Sequence, residues 1–194
     1  MAFIGAKPTN VPLTASDITD GSISVAKLTS ALDLSSNTVT LPTGVGGKVL
    51  QVQSTTKTDS FNSSSTSLVD ITGLSVSITP ASTSNKVYIL ANIQTNNVNG
   101  SIITTQLVRG STEIAKGTVS KTFMGTIGNY SNAHGDTYGL TNNSLSFLDS
   151  PSASSSTTYK LQIKNNGGGA SYVNNRGTDD SSYVSTITAF EIAG

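Results

Sequence analysis

Apolar and polar residues alternate with a period of two over most of this 194-residue chain, the pattern of strands that bury one face. The pattern is plainest over residues 58–94. Val87, Ile89, Ala91 and Ile93 fall on one side of an extended segment, and Tyr88, Leu90, Asn92 and Gln94 on the other. Upstream, Leu74, Val76 and Ile78 alternate with Ser75, Ser77 and Thr79. Pro80 lacks an amide donor and ends that strand. Residues 81–86 between them carry hydroxyl and amide side chains that bond their own backbone, which predicts a short polar loop.

The same alternation recurs downstream. It predicts strands at 48–53 (Val49 and Gln51 opposite Leu50 and Val52), 102–108, 113–116, from Leu145 and Phe147 onward, around Tyr159, Leu161 and Ile163, at Tyr172, and over 184–192. Asn99-Gly100 and Arg109-Gly110-Ser111-Thr112 are turn signals, and 151–157, 165–170 and 174–182 read as loops. Residues 117–143 are the longest weakly patterned stretch. Some eight to ten short, turn-punctuated strands with no helix of ordinary length predict an all-β fold, an antiparallel β-sandwich or jelly roll, over 48–194.

Residues 1–47 differ. Their apolar residues are sparse: Phe3, Ile4, Val11, Leu13, Ile18, Ile23, Val25 and Leu28, then Leu32 and Leu34. Pro8 and Pro12 favour extended backbone. From an N-cap at Ser24, one short helix could place Val25, Leu28 and Leu32 on a face, but a helix of that length needs something to pack on. Residues 1–47 therefore read as an extended arm that orders against a partner, ending in a Gly-rich hinge at 41–47.

Composition narrows the function. Charged residues make up 11 % of the chain, whereas Ser and Thr contribute 59 of 194 positions, so the surface is mostly hydroxyl and amide. Net charge is zero, which removes the long-range field that draws a protein to nucleic acid or to an anionic bilayer. No apolar run is long enough to span a membrane. The first residues lack the basic start and apolar core of a secretory leader, which predicts assembly in a cytosol and release by lysis.

Four phrases, VDITGLSVSITPASTSNKVYILANIQ, LVRGSTEIAKG, FLDSPSASSSTTYKLQIKNNGG and YVSTITAFEIAG, resemble the C-terminal knob domain of bacteriophage fibre-type virion proteins, those of marine and cyanobacterial phages above all. PTNVPLTASDITDGSISVAKL resembles their N-terminal attachment segments. The likeness covers residues 48–194 and part of the arm. It implies a non-enzymatic virion structural protein: a homotrimeric surface knob held to other virion proteins through residues 1–47. Two roles follow. One is a short tail fibre whose knob attaches to a host surface glycan or protein. The other is capsid decoration, as a cement protein or head fibre, which the lack of any shaft-like repeat favours. A glycan-binding module or depolymerase is a more remote third.

Candidate chemistry is thin. His134 is the single histidine and cysteine is absent, so Ser-His-Asp, Cys-His and multi-histidine metal arrangements cannot form within one chain. Three copies of His134 around a three-fold axis would be the one route to a shared ion, against the plainer reading of an exposed loop histidine. The run at 43–49 fails as a phosphate loop, with Pro42 where glycine is needed and Val49 where a hydroxyl is needed. Asp17 with Asp20, and Asp179 with Asp180, lack EF-hand spacing. No metal, cofactor or enzymatic activity is expected. Recognition is expected from 121–143, where Tyr130, His134 and Tyr138 stand among glycines and asparagines, the mix of rings and adaptable polar groups that binding loops favour. Phe123 reads instead as a plug of the domain end or of a subunit interface.

Overall fold

A computed structural model describes residues 48–97, 102–118, 124–130, 139–167, 169–177 and 182–194. The arm with its eight candidate attachment residues, the hinge at 41–47, the Asn99-Gly100 turn, Phe123 and the Asp17/Asp20 and Asp179/Asp180 pairs lie outside those residues.

The described residues form eleven strands: β1 (Val49–Lys57), β2 (Phe61–Ser63), β3 (Val69–Ile78), β4 (Lys86–Asn97), β5 (Ile102–Arg109), β6 (Thr112–Ile114), β7 (Ile127–Tyr130), β8 (Thr141–Asp149), β9 (Thr157–Asn165), β10 (Ser171–Val173) and β11 (Ser185–Ile192). Every pairing is antiparallel. The predicted all-β antiparallel sandwich is the fold observed.

One sheet runs β1-β11-β4-β10-β2, with β8 also on β4. Because β11 pairs with residues 86–92 of β4 and β10 with 95–97, these two strands form one interrupted ribbon, flanked by a second made of β1 and β2. The other sheet runs β3-β9-β5-β6, and β7 shares the far edge of β5 with β6. Counted this way in chain order, the ribbons lie first–eighth–third–sixth in one sheet and second–seventh–fourth–fifth in the other.

A single apolar cluster draws on both sheets. Val87, Ile89 and Ile93 of β4 and Ile187 of β11 meet Leu74 and Ile78 of β3, Leu107 of β5 and Leu161 of β9. The inward phases expected at 74–78, 87–93 and 159–163 are the buried ones. Elsewhere the structure departs from the pattern. β2 and β7 interrupt stretches that carry too few apolar residues to announce a strand, and β8 starts at Thr141, four residues before its first buried leucine. β6 spans Thr112–Ile114 rather than 113–116. β5 is buried along both faces from Ile103 to Val108; on its outward side Gly125 packs against Thr104, whose Oγ1 accepts from Asn166 Nδ2, and Gln106 Nε2 donates to Thr126 Oγ1. In β1 the inward phase is the polar one, and Val52 faces out.

The two interrupted ribbons are joined at their breaks by Asn174. It is buried, with φ of 60°, a left-handed conformation that asparagine adopts more readily than most residues. Its Nδ2 donates to the carbonyl oxygens of Lys57 (2.8 Å) and Asp59 (3.1 Å), and its Oδ1 accepts from Ser185 Oγ at 2.6 Å. Its amide donates to Gln94 O and its carbonyl accepts from Tyr183 N. One side chain therefore closes the ends of β1, β10 and β11 around β4.

Candidate functional site

The two sheets leave an open cleft where the free edge of β8 faces the β6–β7 edge. It has a volume of about 690 Å³. Its apolar lining comes from Leu145, Phe147 and Ile127, and its polar lining from Ser144, Ser146, Thr126 and Lys116. Alternation along β8 is the reason for this mixture. Leu145 and Phe147 take the inward phase while Ser144 and Ser146 are exposed, so an edge strand shows both kinds of side chain to the gap.

The opposite wall is pinned to β5. Thr126 N donates to Thr105 O at 3.0 Å, and Thr126 Oγ1 accepts from Leu107 N at 2.8 Å and from Gln106 Nε2 at 3.2 Å. The threonine hydroxyl thus supplies the acceptor that a strand carbonyl would otherwise provide between β7 and β6. Gln106 Nε2 also reaches Ile114 O at 2.6 Å, whereas its buried Oε1 has no partner among the described residues. Gly125 packs so closely on β5 that a Cβ there would stand 2.2 Å from Thr104 Cγ2 and 3.0 Å from Thr105 O. The walls are tied together at Thr95, whose Oγ1 accepts from Asn129 of β7 (3.1 Å) and Asn143 of β8 (2.8 Å).

Among the described lining residues the one ionisable group is Lys116, held 2.5 Å from Glu113. A cleft of hydroxyls beside an apolar floor can hold a neutral, hydrogen-bonding ligand with an apolar face; its described lining offers no acid–base pair. Tyr130 ends β7, its backbone paired with Ile102. His134 and Tyr138 lie outside the described residues.

Three polar clusters went unforeseen in the sequence. Asp149 accepts from Arg109 Nη1 (2.9 and 2.8 Å) and from Tyr159 Oη (2.7 Å), joining β8 of one sheet to β5 and β9 of the other. Burial, reinforced by the Asp149 carboxylate, pushes the Tyr159 hydroxyl far above its ordinary value, so it stays a donor. Glu191 accepts from Gln51 Nε2 (2.7 Å), Asn85 Nδ2 (2.5 Å) and Ala81 N (2.7 Å). Burial opposes its ionisation, but those three donors outweigh burial and hold its carboxyl below the ordinary range. Lys57, buried at the end of β1, pairs with the exposed Asp59 at 2.8 Å. Glu191 shares the inward phase of Ile187 and Ala189, and a charge in an inward phase of so charge-poor a chain is the signal that would have found it. These groups fasten strands to one another; among the described residues no cluster of three or more His, Cys, Asp or Glu side chains comes together as metal ligands.

No protein-family model matches this chain, and no curated protein matches it.

Proposed function

We propose that this chain is a non-enzymatic structural protein of a bacteriophage particle: a jelly-roll knob, homo-oligomeric, carried on the particle surface by residues 1–47 and touching the host as a short tail fibre. The observation that carries the reading is the ribbon order, first–eighth–third–sixth facing second–seventh–fourth–fifth. We read that order as two interlocked Greek keys, an arrangement used by viral capsid and lectin domains. Architecture alone does not assign a role. The four phrases over 69–194 that resemble phage fibre knobs, together with a surface short of ionic groups, support the assignment. The β7–β8 cleft is the proposed contact region, suited to a neutral glycan by its hydroxyls and apolar floor.

The test is adsorption. Purified chain should block attachment of the phage that carries it, and Gly117→Arg, which adds a long charged side chain to the cleft lining at a position where a Cβ meets nothing within 4 Å, should weaken the block without changing the melting temperature. Undiminished adsorption at saturating protein would refute host contact. Copy number per particle then addresses the second reading, capsid decoration, which the absence of a shaft-like repeat favours: a fibre is present in few copies and a shell protein in many.

A further inference from the structure

The two outer faces of the sandwich are unlike each other. On the β3–β9–β5 sheet the outward residues include Asp70, Lys160 and Lys164, with Lys160 Nζ 2.7 Å from Asp70 and Gln162 Nε2 at the same distance from that carboxylate. Over β3 and β9 that face is dressed for water, whereas the outward Thr104, Gln106 and Val108 of β5 are covered. Across the other sheet, Val52 pairs with Phe190, Phe190 with Tyr88, and Tyr88 with Leu148, an apolar row running from one edge strand to the other. Directly paired residues share a face of their sheet. Val52 and Leu148 are each 49 % exposed, and Leu90, one row along, is 44 % exposed. Tyr88 and Phe190 lie with ring centroids 6.1 Å apart at 48°. The rows beyond carry Ser54, Thr188 and Ser146, then Thr56, Thr186, Asn92 and Ser144. Lys86 is the one charge on this face of β4, at its end.

We infer that this face is where copies of the chain meet. It rests on the homo-oligomeric part of the reading above. Three features favour another copy as the occupant. The face is nearly neutral, so like meets like without charge repulsion, as a self-complementary surface must. Its apolar row is continuous across all four ribbons instead of forming the concave pocket that a small ligand fills. Its size also suffices: four ribbons about 4.8 Å apart, and a nine-residue β8 rising about 3.3 Å per residue, make a face of roughly 500 Å². Two such faces cover roughly 1,000 Å², the lower bound of a specific interface.

The experiment weighs the full-length chain by light scattering after size exclusion. The wild type should exceed the mass of one chain, 19.9 kDa, and Val52→Lys with Leu148→Lys should bring it down to that mass. Both substituted positions are half exposed and outside the buried core, and an unchanged melting curve of the separated chains checks the fold. A second readout uses the absence of cysteine. A maleimide should modify Leu90→Cys more slowly than Ser77→Cys on the charged sheet, and the two should react alike in the double-lysine background. A monomeric wild type, or a double variant that keeps the wild-type mass, overturns the inference. An assembly that dissociates as described but does not block phage adsorption leaves this interface standing and removes the host-contact reading.

Discussion

Replacing Asn174 by alanine removes three side-chain hydrogen bonds at once, to Lys57 O, Asp59 O and Ser185 Oγ. Each intramolecular hydrogen bond of this kind contributes about 1 kcal/mol net. Forcing alanine into a left-handed conformation adds roughly 1 kcal/mol. The expected loss is therefore about 4 kcal/mol, a large share of the 5–15 kcal/mol typical of a folded domain. Glycine accepts the same φ but starts from a more disordered unfolded chain by roughly 0.5–1 kcal/mol, so Asn174→Gly should fall within about 1 kcal/mol of alanine. Ser185→Ala alone removes two bonds, to Asn174 Oδ1 and from Gln94 N, at about 1 kcal/mol each. The Asn174→Ala/Ser185→Ala pair should be less damaging than the sum of its parts by about 1 kcal/mol, because the shared bond is lost only once. Urea unfolding followed by tyrosine fluorescence, which the chain's six tyrosines and lack of tryptophan make clean, measures all four variants. Midpoints should shift with the denaturant slope unchanged. An Asn174→Ala loss below about 1 kcal/mol, or strict additivity with Ser185→Ala, would refute the idea that this side chain joins the broken ribbons.

Two further expectations concern pH. The Glu191 carboxyl lies below its ordinary value of 4.5 in the folded chain, so its contribution is complete above that value and is lost as pH falls through the folded value. The stability gap between wild type and Glu191→Gln should shrink on acidification below about pH 4.5, and a gap that stays constant from pH 7 to about pH 3 would contradict the assignment. Tyr159 is shifted the other way, above its ordinary value of 10, so its contribution is present below pH 10 and declines as pH rises beyond it. Tyr159→Phe should cost about 2 kcal/mol near neutrality, as loss of a hydrogen bond to a charged acceptor does. In alkaline denaturant titrations that deficit should narrow past pH 10; parallel curves would count against it.

How much of this was legible in the chain can be judged strand by strand. In β4 and β9, and in β3 from Leu74 onward, the alternation places the inward apolar residues correctly, because a pleated strand buried on one face must alternate, and alternation is a property of neighbours in sequence; Ile71 is buried out of that phase, across the register shift between Asp70 and Ser75. β2 and β7 escaped notice because FNS and IGNY stand in stretches with too few apolar residues to display a period. The outward Val52 could not be told from an inward one, since the phase of an edge strand depends on which face its partner β11 offers. Thr126 gave no sign that it would wall the cleft, nor Asn174 that it would close two ribbons.

Alternation, turn residues and scarce charge thus determined by themselves the all-β fold of the described residues and a hydroxyl-rich composition. Tertiary structure alone decided the ribbon order, the cleft between β7 and β8, the apolar row on one outer face, and the partners of the buried charges. The physical reason is range. Alternation itself is set within a few residues, whereas Gln51 meets Glu191 across 140 positions and Lys57 meets Asn174 across 117, contacts that exist only once the sheets have closed.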